Sequence, residues 1–496
     1  MGFVGIVNSR NDTMTIIISK SKYLQGLQCP LLVWTVFNDP NSMPEVDADT
    51  QAVFDRGQDV GSWAKKLFPD GVEVEFEKGF KHTLEKTREL VKTRKTIFEA
   101  SFSFKNTYSR ADILLPIGKD AWDILEVKSS TSVKDINVED VAFQQYCYKG
   151  AGLKIRNCIL VTLNKEYVRK GEIDPKKLFT MNDITANVQS ILPTVEGKIK
   201  KIVEAIAGQK PTFTIGPHCS DPYECPLCEK CWAYLPEHNV TELYHANKQG
   251  FELLKQGIIK IADIPASVKL GRKQQIQKEA IVTGKTHTEP AGIKTFFKTL
   301  KYPRLYLDFE TFQDAIPRFD GLKPYQQVPF QYSLHIDDGK KVLHKEFLAE
   351  DGDPRKAFVE ALSKDLPVQG SIIAYNSSFE MGRLKELAEA FPKHAAWINK
   401  AIARIVDLLV PFRDFSHYNP EQHGSCSIKA VLPALCGTSY EGLEISNGGE
   451  ASAEYVRVTY TNVKPEEREK VRKSLLIYCK QDTQAMIDVL NSLEDN

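Results

Sequence analysis

Residues 305–311 read LYLDFET. The apolar positions mark a buried strand. Side chains alternate faces along a strand, so Asp308 and Glu310 point the same way, about 7 Å apart. Carboxylates held that close need a cation. Divalent ions bridged by them would clamp both the attacking and the leaving oxygen of a phosphodiester displacement.

Beyond this stretch the pattern predicts strands over 329–336 and 342–348, a helix over 355–363 and an apolar strand over 371–375. NSSFE then opens a further helix, which puts Glu380 in its first turn beside the strand's carboxyl end, where open α/β sheets collect ligands. A strand over 405–410 carries Asp407, read as a structural carboxylate. A helix over 475–490 sets Tyr478 and Asp482 four residues apart on one face. Four carboxylates and a tyrosine in this order resemble the DEDDy 3′–5′ exonucleases of RNase H-like fold. Asp308 and Glu310 match the first motif, YNSSFE the second and YCKQD the third. The resemblance implies that Asp308, Glu310, Glu380 and Asp482 hold metal while Tyr478 positions the attacking water. Glu380 stands where Asp is usual; its extra methylene moves the carboxylate outward but leaves it an oxygen ligand. HGSCSIKAVLPAL, residues 423–435, looks like the turn and helix before that family's last motif, with His423 a substrate contact or a cap.

Upstream, residues 16–34 read as a strand end, a Ser19 cap and a short helix ending at Cys29-Pro30. A helix over 52–67, a strand over 72–76 and a charged, solvated helix over 82–95 follow. Residues 97–104, 109–116 and 122–128 then form an antiparallel-looking group, with Asp112 in RADILLP and Glu126 and Lys128 in DILEVKSS. A hairpin that sets Asp112 beside Glu126, with Lys128 on the same face, makes a one-metal hydrolytic site. The carboxylates hold the ion, and the ammonium orients water or offsets charge growing on phosphate.

This arrangement resembles the PD-(D/E)XK nuclease superfamily, and within it the RecB-like branch that includes CRISPR adaptation exonucleases. The resemblance implies Asp112, Glu126 and Lys128 as the catalytic core and Glu99, in IFEASF, as an upstream metal acid. It also maps Gln144 and Tyr148, in FQQYCY, onto the branch's Gln-x-x-x-Tyr motif, four apart on one helical face. The branch often carries a metal-binding His in an early helix after a Gly. RGQDVGSW has Gly61 at the aligned position, and the nearby His82 reads as surface.

Of ten cysteines, six (Cys29, Cys147, Cys158, Cys426, Cys436, Cys479) are scattered through apolar segments as small buried hydrophobes would be. The other four crowd into HCSDPYECPLCEKCW. A C-x-x-C-x-x-C run with Cys219 before it departs from the separated pairs of a zinc site and suits an iron–sulfur cluster completed by a remote cysteine. In the RecB-like branch one early and three late cysteines bind such a cluster. The resemblance makes Cys29 the early ligand and Cys219, Cys225 and Cys231 the late ones, or else Cys225, Cys228 and Cys231; zinc is the alternative metal.

At 496 residues the chain suggests several domains, and its 65 basic and 65 acidic residues cancel, so any polyanion site must come from local clustering. No apolar run reaches transmembrane length, the opening MGFVGIVNSRNDT lacks signal-peptide character, and Ile6 stands where myristoylation wants Ser or Thr. The expectation is a cytoplasmic protein with no membrane partner. The two motif sets together look like a bacterial family of uncharacterised nucleases. That resemblance implies an α/β chain in three parts. Residues 15–235 would form a restriction-endonuclease-like PD-(D/E)XK domain with an iron–sulfur staple, 236–294 a helical connector and 295–496 an RNase H-like DEDDy domain. It implies a Mg²⁺- or Mn²⁺-dependent nuclease with two separate sites, the C-terminal one a 3′–5′ exonuclease, acting on nucleic acid, DNA in preference to RNA. The rival reading is a nucleic-acid-binding repair or defence scaffold with one or both sites inactive.

Overall fold

LYLDFET lies in the strand Arg304–Phe312, the middle of a five-stranded sheet. The structure is a computed structural model that describes residues 6–7, 15–46, 48–76, 79–246 and 248–495. Val328–Asp337 pairs antiparallel with this strand and Val342–Leu348 extends that flank. On the other flank Ser371–Ala374 and then Ile405–Asp407 run parallel to it. Parallel neighbours need a crossover. The helices Ser378–Ala390 and Pro392–Ile402 supply the one between these last two strands.

The period of two decides what each face meets. Leu305, Leu307 and Phe309 pack with Leu384, Leu387, Ile398 and Ala401 in one core. Tyr306, Asp308 and Glu310 alternate with them on the opposite face, where the helices Gly448–Tyr460 and Pro465–Glu494 approach the strand. A register shift between Glu310 and Thr311 kinks the strand just past the second carboxylate. The strand expected over 405–410 stops at Asp407, because Pro411 lies in the short helix Val410–Arg413. The helix expected over 475–490 lies inside a longer one, Pro465–Glu494, of 30 residues. Residues 240–283 contribute helices Lys248–Lys255 and Arg272–Thr283 and a small core of Val240, Leu243, Leu253, Ile261 and Ile264.

These elements belong to one compact unit, Leu235–Gln313 with Gln326–Asn496. The other is Met1–Tyr234 with Asp314–Tyr325. Its seven-stranded mixed sheet runs Val72–Glu73, Ile97–Phe104, Thr107–Ile117, Ala121–Val127, Lys154–Leu163, Phe179–Asp183, with Ile18–Ser19 beside Thr107–Ile117. The three strands from Ile97 to Val127 pair antiparallel. Asp135–Gly150 is the crossover to the parallel strand Lys154–Leu163, and with Thr185–Ala207 and Lys20–Gln28 it forms a packed helical layer. The N-terminal helix does not end the helical stretch at Cys29: Pro30, at a helix first position where its missing N–H costs nothing, starts Pro30–Asn38. Cys29 is therefore the joint between two helices. Only Val72–Glu73 of the alternating 72–76 stretch pairs as a strand.

No helix among the described residues is long and apolar enough to cross a membrane. Of the opening residues 1–13, on which the signal-peptide and myristoylation readings rest, only 6–7 are described.

Candidate active sites

In the second unit the central strand presents Asp308 and Glu310 and the C-terminal helix presents Asp482, and ligand oxygens of the three lie within 4.8 Å of one another. Glu310, Glu380 and Asp482 are buried. Glu380 is outside that tight triplet, yet its charge reaches both Asp308 and Glu310. Burial first, and then repulsion from Asp482 and the other acids, holds Asp308 and Glu310 well above the usual carboxylate range. Burial pushes Glu380 up to about 8, with Asp407 adding to it. Burial also raises Asp482, to about 6, opposed by a hydrogen bond from Tyr440 and by the charge of Lys429.

Asp407, outside the tight triplet, also acts through the backbone. It accepts from the N–H groups of Asn376, at 2.9 Å, and Leu409, at 3.0 Å. Asn376 is in the left-handed region, φ 65°. Asp407 thus fixes the turn from which the Glu380 helix starts. Three neighbours of the site have no signature in the sequence pattern. The Tyr440 hydroxyl donates to Asp482 Oδ1 at 2.7 Å, Cys479 Sγ donates to Asp308 Oδ2 at 3.7 Å, and Lys429 Nζ lies over the rings of Tyr440 and Tyr478 at 5.3 and 5.5 Å. Tyr440 comes from a segment between motifs and Lys429 from the 423–435 stretch, in which only His423 carries a role, so no spacing rule points to either. The donor set is all hard oxygen, and Glu380 Oε2 is buried with no hydrogen-bond partner. Both features fit Mg²⁺ or Mn²⁺.

In the first unit Asp112, Glu126, Lys128 and Glu99 line one cleft of about 640 Å³, together with Lys20, Lys65, Phe54 and Gly61. Asp112 Oδ2 accepts from the N–H of Val127 at 2.7 Å, which locks it against the neighbouring strand. Glu126 Oε1 accepts from Lys128 at 2.8 Å and from Lys20 at 2.6 Å. Lys128 also pairs with Asp140 at 2.6 Å. Burial opposes the charge on Lys20, but Asp112, Glu126 and Asp140 hold its pKa well above the ordinary value. Sequence reading missed Lys20 and Asp140, each of which reaches the cluster from a helix. Gln144 donates to Glu126 Oε2 at 2.8 Å. Tyr148 does not line the cleft; fully buried, it donates to Ala100 O and accepts from Ala111 N, both at 2.6 Å, bracing the two strands. Glu99 is held by Arg110 at 2.9 Å and Lys65 at 3.8 Å. Its φ of 57° falls at a gap in the ladder between the Phe98–Ile113 and Ala100–Ala111 pairs. The register is the same on both sides, so the irregularity is a local one, a non-glycine residue at positive φ facing Asp112 across the ladder. Oxygens of Asp112 and Glu126 fit a hard cation, which would have to displace Lys20 to share Glu126 Oε1.

Cys29, Cys219, Cys225, Cys228 and Cys231 line one small cavity with Phe213 and His218. Cys219, Cys225 and Cys231 are buried, and all five are free thiols. Burial pushes the Cys225 thiol up to about 12 and raises Cys228 and Cys231 as well. Five thiols converging on one cavity suit a thiophilic metal or cluster. Both alternative ligand sets lie on this cavity.

A family model described as a domain of unknown function, DUF2779, matches residues 305–427, a span that contains Asp308, Glu310, Glu380 and Asp407. An uncharacterised protein of Ureaplasma parvum, UU173, is 29% identical over 221 residues, 39% of this chain and 31% of that one. The uncharacterised MG366 homolog of Mycoplasma pneumoniae is 28% identical over 289 residues, 52% of this chain and 42% of that one. The alignments thus cover less than half the length of each of these relatives. Among solved structures, an alkaline exonuclease from Laribacter hongkongensis matches with a TM-score of 0.23 and 10% identity, over 38% of this chain and 89% of that one.

Proposed function

We propose that this chain is a metal-dependent nuclease with two separate active sites. The Asp308 site is a 3′–5′ exonuclease of the DEDDy type, and the Asp112 site is a PD-(D/E)XK one whose domain is stapled by an iron–sulfur cluster through Cys29 and the late cysteines. The observation that carries this reading is the buried convergence of Asp308, Glu310 and Asp482 within 4.8 Å. A fold that gathers mutually repelling acids beside an orphaned Glu380 oxygen is built to be neutralised by a cation. The sheet order, with the Asp308 strand in the middle and the Glu380 turn at the end of a parallel neighbour, supports the RNase H-like assignment.

Asp308, Glu310, Glu380 and Asp482 would hold the ions. Bound divalent cations supply charge stabilisation to the attacking and leaving oxygens of the phosphodiester. The remaining tasks fall to the chain. Burial and the surrounding acids raise the Tyr478 hydroxyl far above its ordinary pKa, so it stays protonated and can orient a water by hydrogen bonding. Tyr440 holds Asp482 in one orientation through its hydrogen bond. Lys429, exposed at the rim, attracts the phosphate backbone. In the first unit Lys128, fixed between Glu126 and Asp140, offsets charge growing on the scissile phosphate.

The test uses end-labelled single- and double-stranded DNA and RNA with Mg²⁺ or Mn²⁺, comparing wild type, Glu126→Ala and Asp308→Ala. Asp308→Ala should lose stepwise trimming from the 3′ end, with DNA the better substrate, and Glu126→Ala should lose a different set of products. A wild type that cleaves none of the four substrates, or cleavage that both variants retain, overturns the reading.

A further inference from the structure

A second cluster of ligating groups lies in the same unit, away from the acids. Ligand atoms of His238, Glu242 and His423 fall within 4.8 Å of one another. His423 Nδ1 is 2.9 Å from Glu242 Oε2. The other oxygen of Glu242 accepts from Asn239 Nδ2 at 2.6 Å, so the carboxylate is oriented by a partner in the way that supporting residues orient metal ligands. His238 Nδ1 is buried and has no hydrogen-bond partner, and an imidazole nitrogen left bare in this way lacks the partner that buried polar atoms ordinarily have.

The backbone around these groups is built to the same end. His238 and His423 both occupy the left-handed region, at φ 55° and 48°, a conformation that costs about 1 kcal/mol or more for a residue with a Cβ. Gly424, at φ 75°, comes so close to the carbonyl of Glu242 that a Cβ there would collide with it. Two segments 181 residues apart are thereby pressed together with their ligands facing. A cleft of about 370 Å³ lined by Pro236, His238 and Lys260 reaches the His238 side of the cluster.

We propose that His238, Glu242 and His423 form a binding site for a zinc-class divalent transition-metal ion, independent of the nuclease sites. Two imidazole nitrogens and one carboxylate oxygen leave a fourth tetrahedral position open, a donor set that suits zinc and its late first-row neighbours better than Mg²⁺. The two rings lie stacked, with centroids 4.9 Å apart and 19° between planes. An ion shared by both therefore requires His423, the exposed member, to rotate about its side-chain bonds, exchanging its hydrogen bond to Glu242 for a common ligand. The ion would tie the turn ending at His423 to the one carrying Glu242.

The full-length chain is dialysed against EDTA and titrated with Zn²⁺ in excess Mg²⁺, which occupies the oxygen sites. A Cys225→Ser/Cys231→Ser background removes two of the five cavity thiols and so breaks both four-cysteine ligand sets. His238→Asn and His423→Asn are the informative variants, since Asn tolerates a left-handed backbone. The background should bind one zinc per chain, each Asn variant should lose it, and Glu242→Gln should bind at least tenfold more weakly. Co²⁺ in the background should give visible ligand-field bands without sulfur charge transfer. Retention of full zinc binding by both Asn variants, or no zinc bound by the background, overturns the proposal. If the cysteine background does not fold, His423→Asn is compared with the otherwise unaltered chain: loss of one zinc equivalent supports the site, and an unchanged zinc content overturns it.

Discussion

Glu380 gives the second unit a pH dependence whose sign can be worked out. Its pKa in the folded protein is about 8 against an ordinary 4.5. The folded state therefore holds a proton that the unfolded chain releases between those values, and the associated stability is lost as pH rises from about 4.5 to about 8. Asp308 and Glu310 shift in the same direction, and Asp482, at about 6, does so more weakly. His335 and His417 act at the other end: burial lowers both to about 4, so their contribution is full above 6.5 and lost as pH falls toward 4. In EDTA the melting temperature should fall by several degrees from about pH 6.5 to about pH 8.5, where the histidine contribution is already complete. Mn²⁺ should restore it, and more at about pH 8 than at about pH 5, because the ion binds the deprotonated acids. Asp308→Asn should flatten the alkaline limb. A melting temperature in EDTA that climbs steadily across the same alkaline range would contradict the burial of these carboxylates. The acids themselves were legible because period two and period 3.6 place them. Tyr440, Lys429 and Lys20 were not: they reach their sites from segments whose approach depends on tertiary packing, and a single Tyr or Lys carries no periodic signal.

At the level of elements, the helix Ala48–Lys65 matters because Gly61 faces the cleft of the first unit. A Cβ built there meets nothing within 4 Å. Replacing a helical Gly gains backbone entropy, up to about 1 kcal/mol, so Gly61→His should fold at least as well as the wild type. If the aligned position is where an imidazole completes the metal site, this variant should bind Mn²⁺ about tenfold more tightly in an Asp308→Ala background, a ligand contribution of about 1.4 kcal/mol. Equal Mn²⁺ affinity with and without the imidazole would remove Gly61 from the site. The joint at Cys29 is a second case. The sequence marked a helix end there, since Cys-Pro reads as a stop; packing instead starts a new helix at Pro30 and sets Cys29 beside the late cysteines. Protein purified without oxygen should be brown with broad visible absorbance, and Cys29→Ser should bleach it. Colourless protein with stoichiometric zinc would favour the alternative metal. Cys219→Ser and Cys228→Ser compared side by side should separate the two ligand sets. The helices Pro392–Ile402 and Gly448–Tyr460 escaped the sequence reading for different reasons. The first opens on Pro392 directly after another helix, where a proline reads as a helix end, and the second opens on Gly-Gly, which reads as loop.

Across the whole molecule, the first unit takes in a segment that the chain makes far downstream. Asp314–Tyr325 belongs to it, with Ala315 and Ile316 in the same core as Val60, Ala64, Ile113, Leu125 and Val161. Arg169 binds this segment on several sides: its N–H donates to Leu322 O at 3.0 Å, its guanidinium to Pro317 O at 2.9 Å, and its carbonyl accepts from Gly321 N at 2.9 Å. Gly171 N donates to Asp320 Oδ1 at 2.9 Å, and the Tyr325 hydroxyl donates to Ser129 O. No periodicity could announce this, because the twelve residues DAIPRFDGLKPY read as a polar turn between two strands and their partners lie more than a hundred positions upstream. A fragment ending at residue 235 therefore leaves the apolar ground of Ile316 bare. Burying one Ile side chain contributes about 1.5–3 kcal/mol, a sizeable part of the roughly 5–15 kcal/mol typical of a whole domain. The 15–235 fragment should thus melt well below the same fragment extended by a flexible linker and residues 314–325. Within the extended version, Ile316→Asp should cancel most of the gain by placing a charge in the apolar core, and Arg169→Ala a smaller part by breaking the hydrogen bonds of its guanidinium. Equal melting temperatures for the two fragments would mean that the segment adds nothing to this core.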